Sequence, residues 1–213
     1  VLDQLELPHR LFNRDQLETY GQVNFLKAGC VYADFVNTVS PRYAHEIQTP
    51  QFGCRLEGLM RHLDDMDRLV GILNGIDLDE FDPSKDPFIG SHYDIHDMSG
   101  KAECRAALAK ELGLTGGQDP IFGVVGRLSS QKGMDLVMDS AEELLSIGQL
   151  AVLGAGDPYY ANAFNDLAKR FPGRVGFHNG FDLGLAPRIY AGADMFLMPS
   201  LFEPCGLNQM YSL

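Results

Sequence analysis

The sequence predicts an α/β fold built on parallel sheet, and three observations carry that prediction. From about residue 100 onward, short apolar runs alternate with segments that follow the ~3.6-residue helical period, the pattern of βαβ units. Helix punctuation falls between them, with Gly113 as a stop and Asp157-Pro158 as a start. The polar and glycine-rich loops each follow an apolar run, where the carboxyl ends of parallel strands would share one edge.

Taken in order, residues 1–30 read as helical and partly exposed, leading to Val23-Asn-Phe-Leu-Lys-Ala-Gly29. Asp34 to Ser40 is a β-branched run stopped by Pro41, and residues 42–66 read as short helices broken by Pro50 and Gly53. Leu69-Val-Gly-Ile-Leu73 is a further strand closed by Asn74-Gly75. Between Asp77 and Ser99 the chain is rich in Asp and without periodicity, which suits a solvated linker. A helix over 100–112 then leads to strand 120–125, helix 134–147 and strand 149–153. Helix 158–171, strand 175–180, helix 186–192 (with Pro187 as its start) and strand 195–199 complete the series.

Composition narrows the function. A hydrophobic fraction of 45% across 213 residues supports a substantial core without disulfides. The formal net charge of −12 argues against a nucleic-acid surface, which needs a basic patch. It also makes cations in loops notable, because an anionic ligand must be held against the overall field. Cys30, Cys54, Cys104 and Cys205 lie far apart and form no C-x-x-C pair, so reduced cytosolic thiols are expected. No apolar stretch approaches the ~20 residues that span a bilayer. Val1, without an initiator Met or signal pattern, reads as an internal cut. His92 and His96 lack a helical H-E-x-x-H frame, and no metal ligand set is read.

The chemistry sits in four loops. Gly126-Arg-Leu-Ser-Ser-Gln-Lys-Gly133 offers Arg127 and Lys132 ahead of a helix N-terminus, suited to a phosphate, although a polar loop with two solvated cations looks the same. Leu153-Gly-Ala-Gly-Asp-Pro158 lacks the third glycine of a dinucleotide fingerprint and equally suits a tight strand-to-helix turn. Phe181 is either core or a flat face for a nucleotide base. Glu203, in Phe202-Glu-Pro-Cys-Gly-Leu207, is either a ligand-facing acid or a solvated one. Parallel strands would carry Arg127, Lys132, Phe181 and Glu203 toward one cleft.

Together with Phe35-Val-Asn-Thr-Val-Ser-Pro41, Glu46-Ile-Gln-Thr-Pro50, Phe52-Gly-Cys-Arg-Leu-Glu-Gly58 and Ile72-Leu-Asn-Gly-Ile-Asp77, these loops form an ordered series. The series resembles the bacterial glycogen synthases and plant starch synthases, retaining glucosyltransferases of the GT-B fold with two facing Rossmann-like domains. The resemblance implies that residues 1–75 are the end of the N-terminal, acceptor-side domain. Residues 76–213 would then be a linker plus the C-terminal nucleotide-sugar domain, both domains incomplete. It implies glucose transfer from ADP-glucose to the non-reducing end of an α-1,4-glucan, in the cytoplasm or a plastid, with no cofactor, metal, nucleic acid or membrane.

Arg127 and Lys132 match the pair at the nucleotide diphosphate, and Glu203 matches the acid at the donor glucose; these are the implied catalytic residues. Phe181 falls at the adenine-stacking position, Asn74 near the donor sugar, and Cys205, Gly206 and Leu207 in the sugar pocket. The family's Lys-x-Gly-Gly-Leu loop, its first-domain histidine and its later glycine-rich loop are absent from these residues, so the isolated piece is expected to be inactive. A non-catalytic nucleotide- or glucan-binding module, or a UDP-glucose enzyme of the same fold, remain alternatives.

Overall fold

The computed structural model describes residues 1–213 and resolves into two compact units, Val1–Gly75 and Ile76–Leu213. The first unit opens differently from the helix expected over residues 1–30. Two short 3-10 turns, Asp3–Leu5 and His9–Leu11, precede a hairpin of β1 (Glu18–Thr19) and β2 (Gln22–Val23), and only then does helix α1 (Phe25–Tyr32) begin. Local chemistry outweighs the apolar spacing here. Pro8 precedes the second turn, Tyr20-Gly21 makes the hairpin bend, and the Asn24 side chain caps α1 by accepting the Lys27 amide at 2.9 Å.

Strand β3 (Val36–Thr38) leads to Ser40, whose hydroxyl caps helix α2 (Pro41–Glu46). Helix α3 (Glu57–Asp65) and strand β4 (Leu69–Gly71) follow, and β4 pairs parallel with β3. Cys30, Ala44, Leu56, Met60, Leu63 and Leu69 form the unit's core.

In the second unit the Asp-rich stretch is largely exposed, but it is built of turns. Its aspartates cap its own turns: Asp77 accepts the Asp79 and Glu80 amides, Asp82 that of Ser84, Asp86 that of Phe88, and Asp94 those of His96 and Asp97. Ile89 is buried against Cys104 and Ala191. The Asp content thus encodes a folded irregular segment, which composition alone reads as linker.

Helix α4 (Ser99–Glu111) leads to strand β5 (Ile121–Val125). The single helix expected over 134–147 is two, α5 (Met134–Asp139) and α6 (Ala141–Ile147), bent at Ser140, a weak helix former in the bridge region of backbone space. Strand β6 (Gln149–Gly154), helix α7 (Pro158–Arg170) and strand β7 (Val175–Asn179) come next.

Helix α8 (Leu185–Gly192) starts two residues before Pro187, because Asp182 accepts the Gly184 and Leu185 amides. Pro187, third in the helix, costs no bond there, since the first four amides have no intrahelical partner. Strand β8 is only Met195–Phe196, shorter than the apolar run suggests, and α9 (Leu207–Tyr211) follows.

The sheet is fully parallel, in the order β7-β6-β5-β8. Period-two alternation splits each central strand between two cores. Phe122, Val124, Leu150 and Val152 face α5, α6 and α7, while Ile121, Ala151 and Leu153 pack with Leu108 of α4 and with Leu185 and Ile189 of α8. Helices on both faces explain why these strands read as continuous apolar runs. No helix is long and apolar enough to cross a membrane.

Candidate functional site

The strand order creates the site. From β5 the chain steps outward to β6 and β7, then crosses back to place β8 on the other flank of β5. The loops after β5 and β8 therefore diverge at a topological switch point, where open parallel sheets form ligand crevices.

The loop after β5 is held by its neighbour after β6. The Leu128 amide donates to Ala155 O at 2.9 Å and the Asp157 amide to Leu128 O at 2.9 Å, so the loops meet as a short parallel bridge. A Cβ on Gly154 would stand 2.2 Å from Gly126 O. The Gly-Ala-Gly run is thus explained by this close approach of two backbones. Leu128 is buried, and Arg127 beside it is exposed.

The second half of the loop, a 3-10 turn over Ser130–Lys132 ending at left-handed Gly133, is held by the loop after β8. The Leu201 amide donates to Gln131 O at 3.0 Å, and the Gln131 side-chain amide donates to Phe202 O at 2.9 Å. Lys132 Nζ meets Glu203 Oε1 at 2.5 Å, with side chains only 22% and 20% exposed. The Ser200 hydroxyl donates to the same carboxylate oxygen at 2.6 Å. Asn208, in α9, donates to Val125 O at 2.8 Å and ties that helix to the end of β5.

Beside these loops opens a cavity of about 720 Å³. Its lining takes Arg127, Gly154 and Phe181 from the sheet edge, Phe81 and Phe88 from the Asp-rich segment, and Tyr190 and Tyr211 from the helices beside them. Phe81 stacks on Tyr211 with ring centroids 3.8 Å apart and planes 7° from parallel. Burial, and then the neighbouring Tyr211, push the Tyr190 phenol well above the usual tyrosine range, so it stays neutral. Arg127 is the one cation of the lining. Three of the acids there are already engaged: Asp79 pairs with Lys85 at 2.6 Å, Asp86 accepts the Phe88 amide, and Asp182 accepts the Gly184 and Leu185 amides.

The four candidate residues on the sheet edge therefore divide. Arg127 and Phe181 line the cavity, and Phe181 is 85% exposed, with a free ring face. Lys132 and Glu203 do not line it, because each holds the other. Cys205 is a half-buried free thiol, Gly206 takes a φ of +81° into α9, and Leu207 is the first residue of that helix. Asn74 lies in the first unit, exposed after β4.

Phe81, Phe88, Tyr190, Asn208 and Tyr211 escape sequence reading. The available signal was the pair of phenylalanines in an otherwise polar Asp-rich run, where a solvated linker has no use for large apolar rings.

Comparisons with known proteins bear on the same regions. Residues 1–62 match the family described as starch synthase catalytic domain, and residues 119–211 match glycosyl transferases group 1. The chain is 51% identical to a glycogen synthase of Anaeromyxobacter sp. (strain Fw109-5), across 100% of this chain and 45% of the relative. It is 47% identical to a glycogen synthase of Cellvibrio japonicus, across 99% of this chain and 44% of that protein. The chain thus spans a little under half the length of these relatives. Among solved structures, the catalytic domain of starch synthase IV from Arabidopsis thaliana, bound to ADP and acarbose, superposes with a TM-score of 0.88 at 34% identity, covering 95% of this chain and 43% of that one.

Proposed function

The chain is homologous along its whole length to the glycogen and starch synthases, glycosyltransferases of the GT-B fold, and from that premise we propose that its second unit holds the nucleotide-sugar donor of a glucan synthase. The reaction is transfer of glucose from ADP-glucose to the non-reducing end of an α-1,4-glucan, with retention. The first unit belongs to the acceptor side. One observation carries the reading: loops from β5 and β8 are locked together at the switch point by Lys132 and Glu203, directly beside a cavity that offers Arg127 and a free Phe181 ring.

The chemistry follows from these groups. As the bond from glucose to diphosphate breaks, negative charge gathers on the leaving nucleoside diphosphate. Arg127 and Lys132 stabilise it, a preorganised electrostatic role that needs no proton transfer. Arg127 is unencumbered at the cavity edge. Lys132 is preoriented by Glu203, so a diphosphate competes with the carboxylate for one ammonium. Glu203 retains acceptor capacity for sugar hydroxyls, which keeps donor sugar and diphosphate adjacent. Phe181 offers a stacking face to the base, and the backbone of Cys205, Gly206 and Leu207 borders the sugar. No residue is assigned as a covalent nucleophile.

Calorimetric titration of the chain with ADP tests this reading. Saturable binding should weaken by about tenfold or more in Lys132→Ala and in Arg127→Ala, the loss expected for one charge-assisted hydrogen bond. Binding indifferent to both substitutions refutes the assignment.

A further inference from the structure

The first unit holds a hollow of its own, lined by none of the residues of the donor reading. A groove of about 1080 Å³ opens there, lined by Arg14, Lys27, Arg55 and Arg68 against only Asp15 and Glu18. A cationic hollow is unusual in a chain of formal net charge −12. Two of its cations hold the walls: Lys27 donates to the carbonyls of Arg14 and Glu18, and Arg68 to those of Ala33 and Asp34. The others are available. Arg55 and His62, also in the lining, have no hydrogen-bonding or acidic partner, and the Arg14 guanidinium meets only the Asp15 carboxylate, loosely, at 3.8 Å.

The backbone gives a second, independent signal. Tyr20 and Gly21 form the two-residue bend of the β1–β2 hairpin, with φ of +50° and +78°. Such a bend favours Asn at its first position, where a tyrosine is strained. Arg55, also in the lining, and Cys54 before it are left-handed too, at +70° and +50°. These two strained residues are aimed at each other, since the Arg55 guanidinium carbon lies 5.2 Å from the centre of the Tyr20 ring. Strain held in this way marks a site where the side chain is worth more than backbone comfort.

We propose that this groove binds a small phosphate monoester bearing a ring. Arg55, Arg14 and His62 take the phosphate, since guanidinium groups match its oxygens with paired donors. Tyr20, 72% exposed, lies along the ring. The proposal concerns only residues of the first unit and stands whether or not the second unit binds ADP.

Phenyl phosphate is the probe, titrated into the 213-residue chain by calorimetry, with inorganic phosphate and phenol as partial ligands and the Arg55 Nε–H resonance reporting the location. Phenyl phosphate should bind saturably and more tightly than inorganic phosphate, phenol should not bind, and the Arg55 resonance should shift. Arg55→Gln should weaken binding by about tenfold or more. Tyr20→Asn suits the bend better than the native residue, so folding is retained. It should preserve phosphate binding while erasing the preference for the phenyl ester. Arg127→Gln should leave this binding unchanged. The proposal is overturned if phenyl phosphate fails to saturate at millimolar concentration, or if it binds without shifting Arg55. It is equally overturned if affinity follows Arg127→Gln, or if the phenyl preference survives Tyr20→Asn.

Discussion

Gly133→Ala separates the two loops of the donor site by one methyl group, and its cost can be worked from the structure. Gly133 has a φ of +69°, and a Cβ there would lie 2.1 Å from Pro199 O and 2.7 Å from Pro199 C, where real Cβ contacts stay above 3.0 Å. Both obstructing atoms are backbone, so no side-chain rotation relieves them, and the loop after β8 must retreat by about 1 Å. The left-handed conformation costs a non-glycine residue about 1–2 kcal/mol, and overpacking adds about 1–3 kcal/mol. The total is about 2–5 kcal/mol.

The retreat also acts on the Lys132–Glu203 contact and the two Gln131 hydrogen bonds, which cross the same gap. Gly113→Ala is the matched control: its φ is +67°, but a Cβ there meets nothing within 4 Å, so only the backbone cost remains. Urea unfolding followed by circular dichroism should place Gly133→Ala below Gly113→Ala in stability, and calorimetry should show weakened ADP binding only for Gly133→Ala. Equal destabilisation by the two substitutions, or unchanged ADP affinity in Gly133→Ala, refutes the reasoning.

Three further outcomes are expected. Phe181→Ala should leave stability within about 0.5 kcal/mol, because the ring is 85% exposed, yet reduce ADP affinity by the about 1–3 kcal/mol of a lost base stack. Glu203→Gln should destabilise the second unit by about 1–3 kcal/mol, because it removes the charge partner of a largely buried lysine; a Lys132→Met/Glu203→Gln double-mutant cycle in urea measures the coupling. The Leu185 amide holds the Asp182 carboxyl below the ordinary aspartate value of 3.8, against an opposing effect of burial and with a lesser contribution from the Gly184 amide. Its contribution is therefore full above that value and disappears as pH falls through the lower folded-state value. Asp182→Asn should flatten the acid limb of stability below about pH 4, read by circular dichroism against pH.

Much of the second unit is legible because its strands are buried on both faces. Ile121–Val125 and Gln149–Gly154 are short apolar runs, and Asp157-Pro158 states a helix start in two residues. The parallel order of those strands is what gathers the candidate loops on one edge. What periodicity does not encode is contact between distant backbones. Gly154 is small because Gly126 O approaches it, and Lys132 turns toward Glu203 rather than into the cavity because the loops after β5 and β8 are laced together. Residues 1–24 mislead because a strained Tyr20-Gly21 bend carries no glycine-asparagine signature. The Asp-rich segment misleads because an aspartate capping a turn and an aspartate in solvent are the same letter.

The crystal structure of this chain with ADP tests the central claim most directly. The account predicts the base on the Phe181 ring and the diphosphate within hydrogen-bonding reach of both Arg127 and Lys132, with the Lys132–Glu203 contact lengthened from 2.5 Å. ADP seated away from the β5 and β8 loops, or a diphosphate touching neither cation, would contradict it.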